Sequence, residues 1–124
     1  MDEFTAIATL ISAIMASETE IVFNYALVSE KALGMPHGQR DEVALMLLNS
    51  GFIKGLETRE VIGGTPYILW ALSKPAMTQA GYRYLQESEP LKEAFKKLWT
   101  AAITKAAMII ENEAVRITEQ HYKD

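Results

Sequence analysis

The sequence predicts a mostly α (α+β) domain: a helix–turn–helix, then a short two- or three-stranded sheet, then a long C-terminal helix. Three observations carry this expectation. Apolar residues recur at helical spacing through the first seventeen residues, at Phe4, Ile7, Ile11 and Ile14. Two runs rich in β-branched and aromatic residues flank the Gly63-Gly64 pair. Ser88 and Pro90 then open a helical pattern that extends from Leu91 almost to Tyr122.

The first helix is expected to belong to the fold and not to act as an export signal. Phe4 to Ser17 is an uncharged run of 14 residues, but Asp2 and Glu3 precede it and no basic residue appears before Lys31. The run is also short of the ~20 apolar residues a membrane span needs. After the polar break at 17–20, Ile21-Val22-Phe23 is expected to form a short strand. Asn24 caps a second helix from about Tyr25 to Leu33, ended by a left-handed Gly34 and by Pro36. A third helix runs from Gln39 to Ser50 and closes at Gly51. Phe52 to Val61 and Tyr67 to Leu72 read as strands around the Gly63-Gly64 turn, and Ser73-Lys74-Pro75 breaks the pattern. Thr78 caps a short helix carrying Tyr82 and Leu85. This order is the winged helix-turn-helix arrangement, with the third helix in the recognition position and the hairpin as the wing.

Composition narrows the role. A chain of 124 residues, 49% hydrophobic and 23% charged, is one ordinary globular domain and not a disordered or collagenous chain. The absence of cysteine excludes a disulfide scaffold and thiolate metal sites, and fits a cytoplasmic location. The net charge of −4 has the wrong sign for non-specific phosphate binding. Residues 1–34 hold five acids against one base, whereas 35–87 and 88–124 are each balanced.

Two segments resemble a known family. Leu47-Leu48-Asn49-Ser50-Gly51-Phe52-Ile53 is similar to the end of a winged-helix recognition helix, where a Leu…Gly-Phe/Tyr-Ile pattern leads into the wing. Met77-Thr78-Gln79-Ala80-Gly81-Tyr82-Arg83-Tyr84-Leu85 resembles a Leu-Thr-x-x-Gly-x-x-Tyr-Leu segment that follows it. With Lys92 to Trp99, the chain looks like the YjcQ-like family of small winged-helix proteins from Gram-positive bacteria and their phages, over residues 19 to 100. The resemblance implies a fold and no particular activity. The tail after Thr100 is longer than the family pattern and the third helix more apolar.

Two functional readings follow. A DNA-binding regulator would use His37, Gln39, Arg40 and Asn49 on or beside the third helix, with Lys54, Arg59 and Lys74 on the wing. Against it, Asp41 and Glu42 adjoin Arg40 and repel phosphate. The alternative is a winged-helix adaptor that contacts a protein through Leu45, Leu48 and the wing. Those two leucines read first as covered by the chain's own first or last helix. Lys92, Lys96 and Lys97 read as a solvated face paired with Glu89 and Glu93. Trp70 reads as core on one strand face with Ile68 and Leu72, and Trp99 as core beside Phe95 and Leu98.

No enzyme motif is present, and no cofactor or metal is expected. Gly63-Gly64-Thr65 lacks the Gly-Lys-Ser/Thr of a phosphate loop, and His37 and His121 lack metal-ligand spacing. The tail carries Ile103, Ile110 and Ile117 at seven-residue intervals, with Ala106, Ala107 and Ala114 between. A helix from Leu91 to Tyr122 would be about 48 Å long, whereas a compact chain of this size spans about 35 Å. The expectation is therefore a winged-helix domain over 1–100 and a helix extension over 101–124 that pairs two copies into a homodimer.

Overall fold

The computed structural model describes residues 1–18 and 21–98. Helix α1 (Glu3–Ser17) begins where Asp2 caps it, its side chain accepting from the Thr5 amide at 3.0 Å and the Thr5 hydroxyl at 2.6 Å. Ile7, Leu10, Ile11 and Ile14 are fully buried, with Ala6 and Ala8 beside them. Each large residue contributes about 1.5–3 kcal/mol of burial, so α1 is the keel of the core. The chain packs around it.

The expected strand at Ile21–Phe23 does not form. Residues 21–24 are irregular, and Ile21 and Val22 stay 92% and 78% exposed, because among the described residues no strand offers them a ladder. Asn24 does cap the next segment, accepting from the Ala26 amide at 3.1 Å, but the single helix expected there is split. A 3₁₀ turn (Tyr25–Val28) precedes α2 (Glu30–Leu33), since the Ser29 hydroxyl caps the second piece by accepting from the Ala32 amide. Gly34 ends α2 at φ 69°, and the Met35 amide reaches back to the Glu30 carbonyl at 2.9 Å.

Helix α3 (Gln39–Asn49) lies against α1 through Val43, Ala44 and Leu47. The wing follows as an antiparallel ribbon of two ladders. Strand β1 (Ile53–Lys54) pairs with β4 (Ala76–Met77), and β2 (Thr58–Arg59) pairs with β3 (Tyr67–Ile68). Both long strands expected from the sequence are thus interrupted.

The interruption has a definite cause. Gly55 sits at φ 85°, and a Cβ there would lie 2.1 Å from the Lys74 carbonyl oxygen. At that close approach the Lys74 amide donates to the Gly55 carbonyl. Opposite, residues 69–74 detour through a 3₁₀ turn (Trp70–Leu72) held by buried Ser73. Its hydroxyl donates to the Leu69 carbonyl and accepts from the Glu57 amide. The detour turns Trp70 inward and leaves Leu72 65% exposed, so Leu72 does not share the buried face of Ile68 and Trp70.

Helix α4 (Gln79–Glu87) starts at Thr78 as expected, its hydroxyl accepting from the Gly81 amide at 3.0 Å. Ser88 then opens helical residues 89–98, in which Leu91 and Ala94 are buried and Phe95 and Leu98 pack on the core. Trp99 and the stripe residues Ile103, Ile110, Ala114 and Ile117 lie outside the described residues. The fold is mostly helical and winged-helix-like.

Candidate interaction surface

Helix α3 and the wing hold the side chains singled out from the sequence, and the fold treats them unequally. Arg40 is tied into the protein. Its Nε donates to Asp41 Oδ1 at 2.9 Å, its Nη1 to the Val28 carbonyl at 3.1 Å, and its guanidinium lies 4.8 Å from the Trp70 ring centroid. Trp70 Nε1 donates to the same Asp41 oxygen at 2.9 Å. This closed triangle fastens the start of α3 to the base of the wing and to the first 3₁₀ turn. Asp41, which in the sequence stands as a phosphate-repelling neighbour, is its hub.

Gln39 is also engaged: its Nε2 donates to the Met1 carbonyl at 2.7 Å, and its Oε1 is buried without a donor. His37 is fully exposed just before α3, with Nδ1 3.4 Å from Glu30 Oε1. Asn49 is exposed near the end of α3. Leu45 and Leu48 are half-buried and pack on the core, which gives them cover from their own chain.

On the wing, Lys54 and Lys74 are both exposed and come from adjacent backbone, because Lys54 pairs with Ala76 in register and Lys74 bonds to Gly55. Arg59 is half exposed, 3.8 Å from Glu57, and donates to its neighbour Thr58. The basic residues therefore gather at the base and middle of the wing. The tip is different. Its loop, residues 60–66, contains no basic residue, and Val61 and Ile62 are 47% and 104% exposed beside the Gly64-to-Val61 turn bond. The sequence signal was present: Val61 and Ile62 stand directly before the Gly63-Gly64 turn, and a turn at a hairpin tip runs over the surface.

Lys92 and Lys96 stand 3.4 Å and 3.8 Å from Glu89 and Glu93, the solvated pairing read from their spacing. Among the described residues, no three His, Asp or Glu side chains gather as a metal site, and no helix is long and apolar enough to cross a membrane.

The two segments that resemble a family interlock. The Phe52 amide donates to the Leu47 carbonyl at 2.8 Å, and the Thr78 hydroxyl donates to the Gly51 carbonyl at 2.5 Å. The Thr78 amide donates to the Phe52 carbonyl at 3.1 Å. Gly81 is required because a Cβ there would lie 2.0 Å from that carbonyl oxygen. Phe52 and Tyr84 stack with centroids 4.3 Å apart and planes 9° from parallel. Both segments thus serve to seat α4 on the end of α3, which makes them marks of a fold.

The chain belongs to the YjcQ family: the family model described as YjcQ protein matches residues 8–101. The match takes in most of α1, beyond the resembling residues 19 to 100, and it stops at the start of the isoleucine-striped tail. Among curated proteins and among solved structures, nothing matches the chain significantly.

Proposed function

We propose that this YjcQ-family protein is a non-enzymatic interaction module of the cytoplasm that keeps a winged-helix frame and contacts a protein through its wing. The observation that carries this reading is the wing tip, apolar and free of basic residues, with Ile62 wholly exposed. A wing that tracks a phosphate backbone needs cations there, and Val61 and Ile62 gain nothing from phosphate. The groove-facing helix supports the same reading. Gln39 and Arg40, its best base-reading side chains, are bound within the fold, and Glu42 is exposed beside them. A homodimer through Ile103, Ile110, Ala114 and Ile117 is part of the proposal, because a seven-residue isoleucine stripe presents two such surfaces to its partner.

A DNA-binding regulator is the second reading, favoured by Lys54 and Lys74, exposed on adjacent backbone at the wing base, with His37 and Asn49 accessible at the two ends of α3. Titration with random duplex DNA at low salt separates the two. The interaction module should not bind. Binding that weakens steeply with salt, and that falls in Lys54→Ala, would replace it with the regulator.

A further inference from the structure

We infer that Ile21–Phe23 is a latent third strand of the wing, held off the edge of β4 by the Glu18 carboxylate. Strand β4 pairs with β1 alone, so its other side is an edge. The register sets Ile53 opposite Met77 and Lys54 opposite Ala76, and the Thr78 amide donates to the Phe52 carbonyl. Thr78 and Ala76 therefore face β1, and Met77 points its N–H and C=O outward. Pro75 has no N–H, so Met77 supplies the donor on this edge. Glu18 holds it. The Met77 amide donates to Glu18 Oε1 at 2.6 Å, while Glu18 Oε2 accepts from the Tyr82 hydroxyl at 3.2 Å.

The segment that can take the place of the carboxylate lies beside it. Phe23 lines a cleft of about 200 Å³ together with Glu18, Pro75 and Ala76. Going from Glu18 to Phe23, the chain passes from Met77 towards Pro75, antiparallel to β4. The backbone groups of Ile21, Val22 and Phe23 have no hydrogen-bond partner among the described residues. With Ile21 set opposite Met77 and Phe23 opposite Pro75, Ile21 and Met77 exchange N–H and C=O bonds, and the Phe23 amide reaches the Pro75 carbonyl. Residues opposite one another share a face, so Ile21, 92% exposed as it stands, joins buried Met77 and Ile53. One N–H cannot serve both the carboxylate and the Ile21 carbonyl, so the edge has two exclusive states. The plugged state keeps Ile21 on the surface, and the paired state buries it.

Backbone amide exchange followed by NMR on the full chain tests the device. In the wild type, Ile21 and Phe23 should exchange as open chain. Glu18→Ala removes the plug and should slow both amides at least about tenfold, with an Hα–Hα contact between Val22 and Ala76, the close pair of this register. Glu18→Gln keeps an acceptor oxygen and should leave the segment open. Ile21→Pro added to Glu18→Ala should abolish the gain, because it deletes the donor to the Met77 carbonyl. Unprotected Ile21 and Phe23 in a folded Glu18→Ala, equal protection in Glu18→Gln, or a dominant Val22–Ala76 contact in the wild type would each overturn the latent strand. If Glu18→Ala does not fold, relaxation dispersion on the wild type decides. Microsecond-to-millisecond exchange at one shared rate for Ile21, Phe23 and Met77 supports the two states, and its absence overturns them.

Discussion

Removing the Asp41 carboxylate is the most informative change to the fold, because one oxygen serves both Trp70 and Arg40. Asp41→Ala deletes two hydrogen bonds of 2.9 Å, one from an indole and one from a guanidinium. A hydrogen bond to a charged group contributes about 1.5–3 kcal/mol when shielded from water. The Asp41 side chain is 40% exposed and that of Arg40 only 16%, so water recovers part of the loss at the carboxylate and little of it at the guanidinium. The two bonds together are then expected to contribute about 2 kcal/mol, a fall in Tm of about 8 °C for a domain of this size. Trp70→Phe removes one donor and keeps an aromatic ring beneath Arg40. Urea unfolding followed by circular dichroism on the wild type, both single variants and the pair closes a double-mutant cycle. The coupling should be about 1 kcal/mol. Additivity to within about 0.3 kcal/mol would mean that the indole–carboxylate bond does not hold the wing to α3, and the account of Arg40 as a fold residue would fail with it.

Other consequences are as concrete. Gly55→Ala should cost more than about 3 kcal/mol, since a left-handed backbone and a collision with the Lys74 carbonyl coincide there, whereas Gly34→Ala, with open space around it, should cost about 1–2 kcal/mol; urea midpoints would rank them. The Tyr84 phenol is pushed above its ordinary value near 10 by burial first and by the charge of Glu3 second. The fold therefore favours the neutral phenol, so the stability it lends is complete below the unfolded value and is lost as pH climbs through the higher folded one. Phenolate absorbance should show a late-titrating component that Tyr84→Phe reduces, the remainder belonging to Tyr82, which is raised by partial burial and by Glu18. In the tail, Ile110→Glu should convert a dimer to a monomer with the winged-helix domain still folded, because a carboxylate there would be desolvated against its symmetry mate. Light scattering with circular dichroism measures both, and a monomeric wild type would end the dimer proposal.

Much of the fold was legible in the residues because its signals are local. Helical spacing in Phe4 to Ser17, the side chains of Asn24 and Thr78 as caps, and Gly34 as a left-handed stop each depend on a few neighbouring residues, and the structure uses each as read. The site was less legible. Arg40 reads as a base contact from its position on α3, but its role depends on Trp70 and Val28, 30 and 12 residues away in sequence, and no spacing rule connects them.

The sequence by itself determined where α1, α3 and α4 lie, the wing that follows α3, and the family motifs that seat α4 on α3. It determined these because backbone propensity, capping and amphipathic period act within one or two turns of chain. Only the tertiary structure decided where the wing's strands break and which polar side chains remain free. Ile21–Phe23 has strand-like residues but pairs with no described strand, while Tyr67–Leu72 alternates through buried Ile68 and Trp70 until the 3₁₀ turn leaves Leu72 exposed. A ladder needs a partner, and a buried indole N–H needs an acceptor. Both are supplied by segments distant in sequence, so contacts across the fold, and not local preference, settled those parts of the chain.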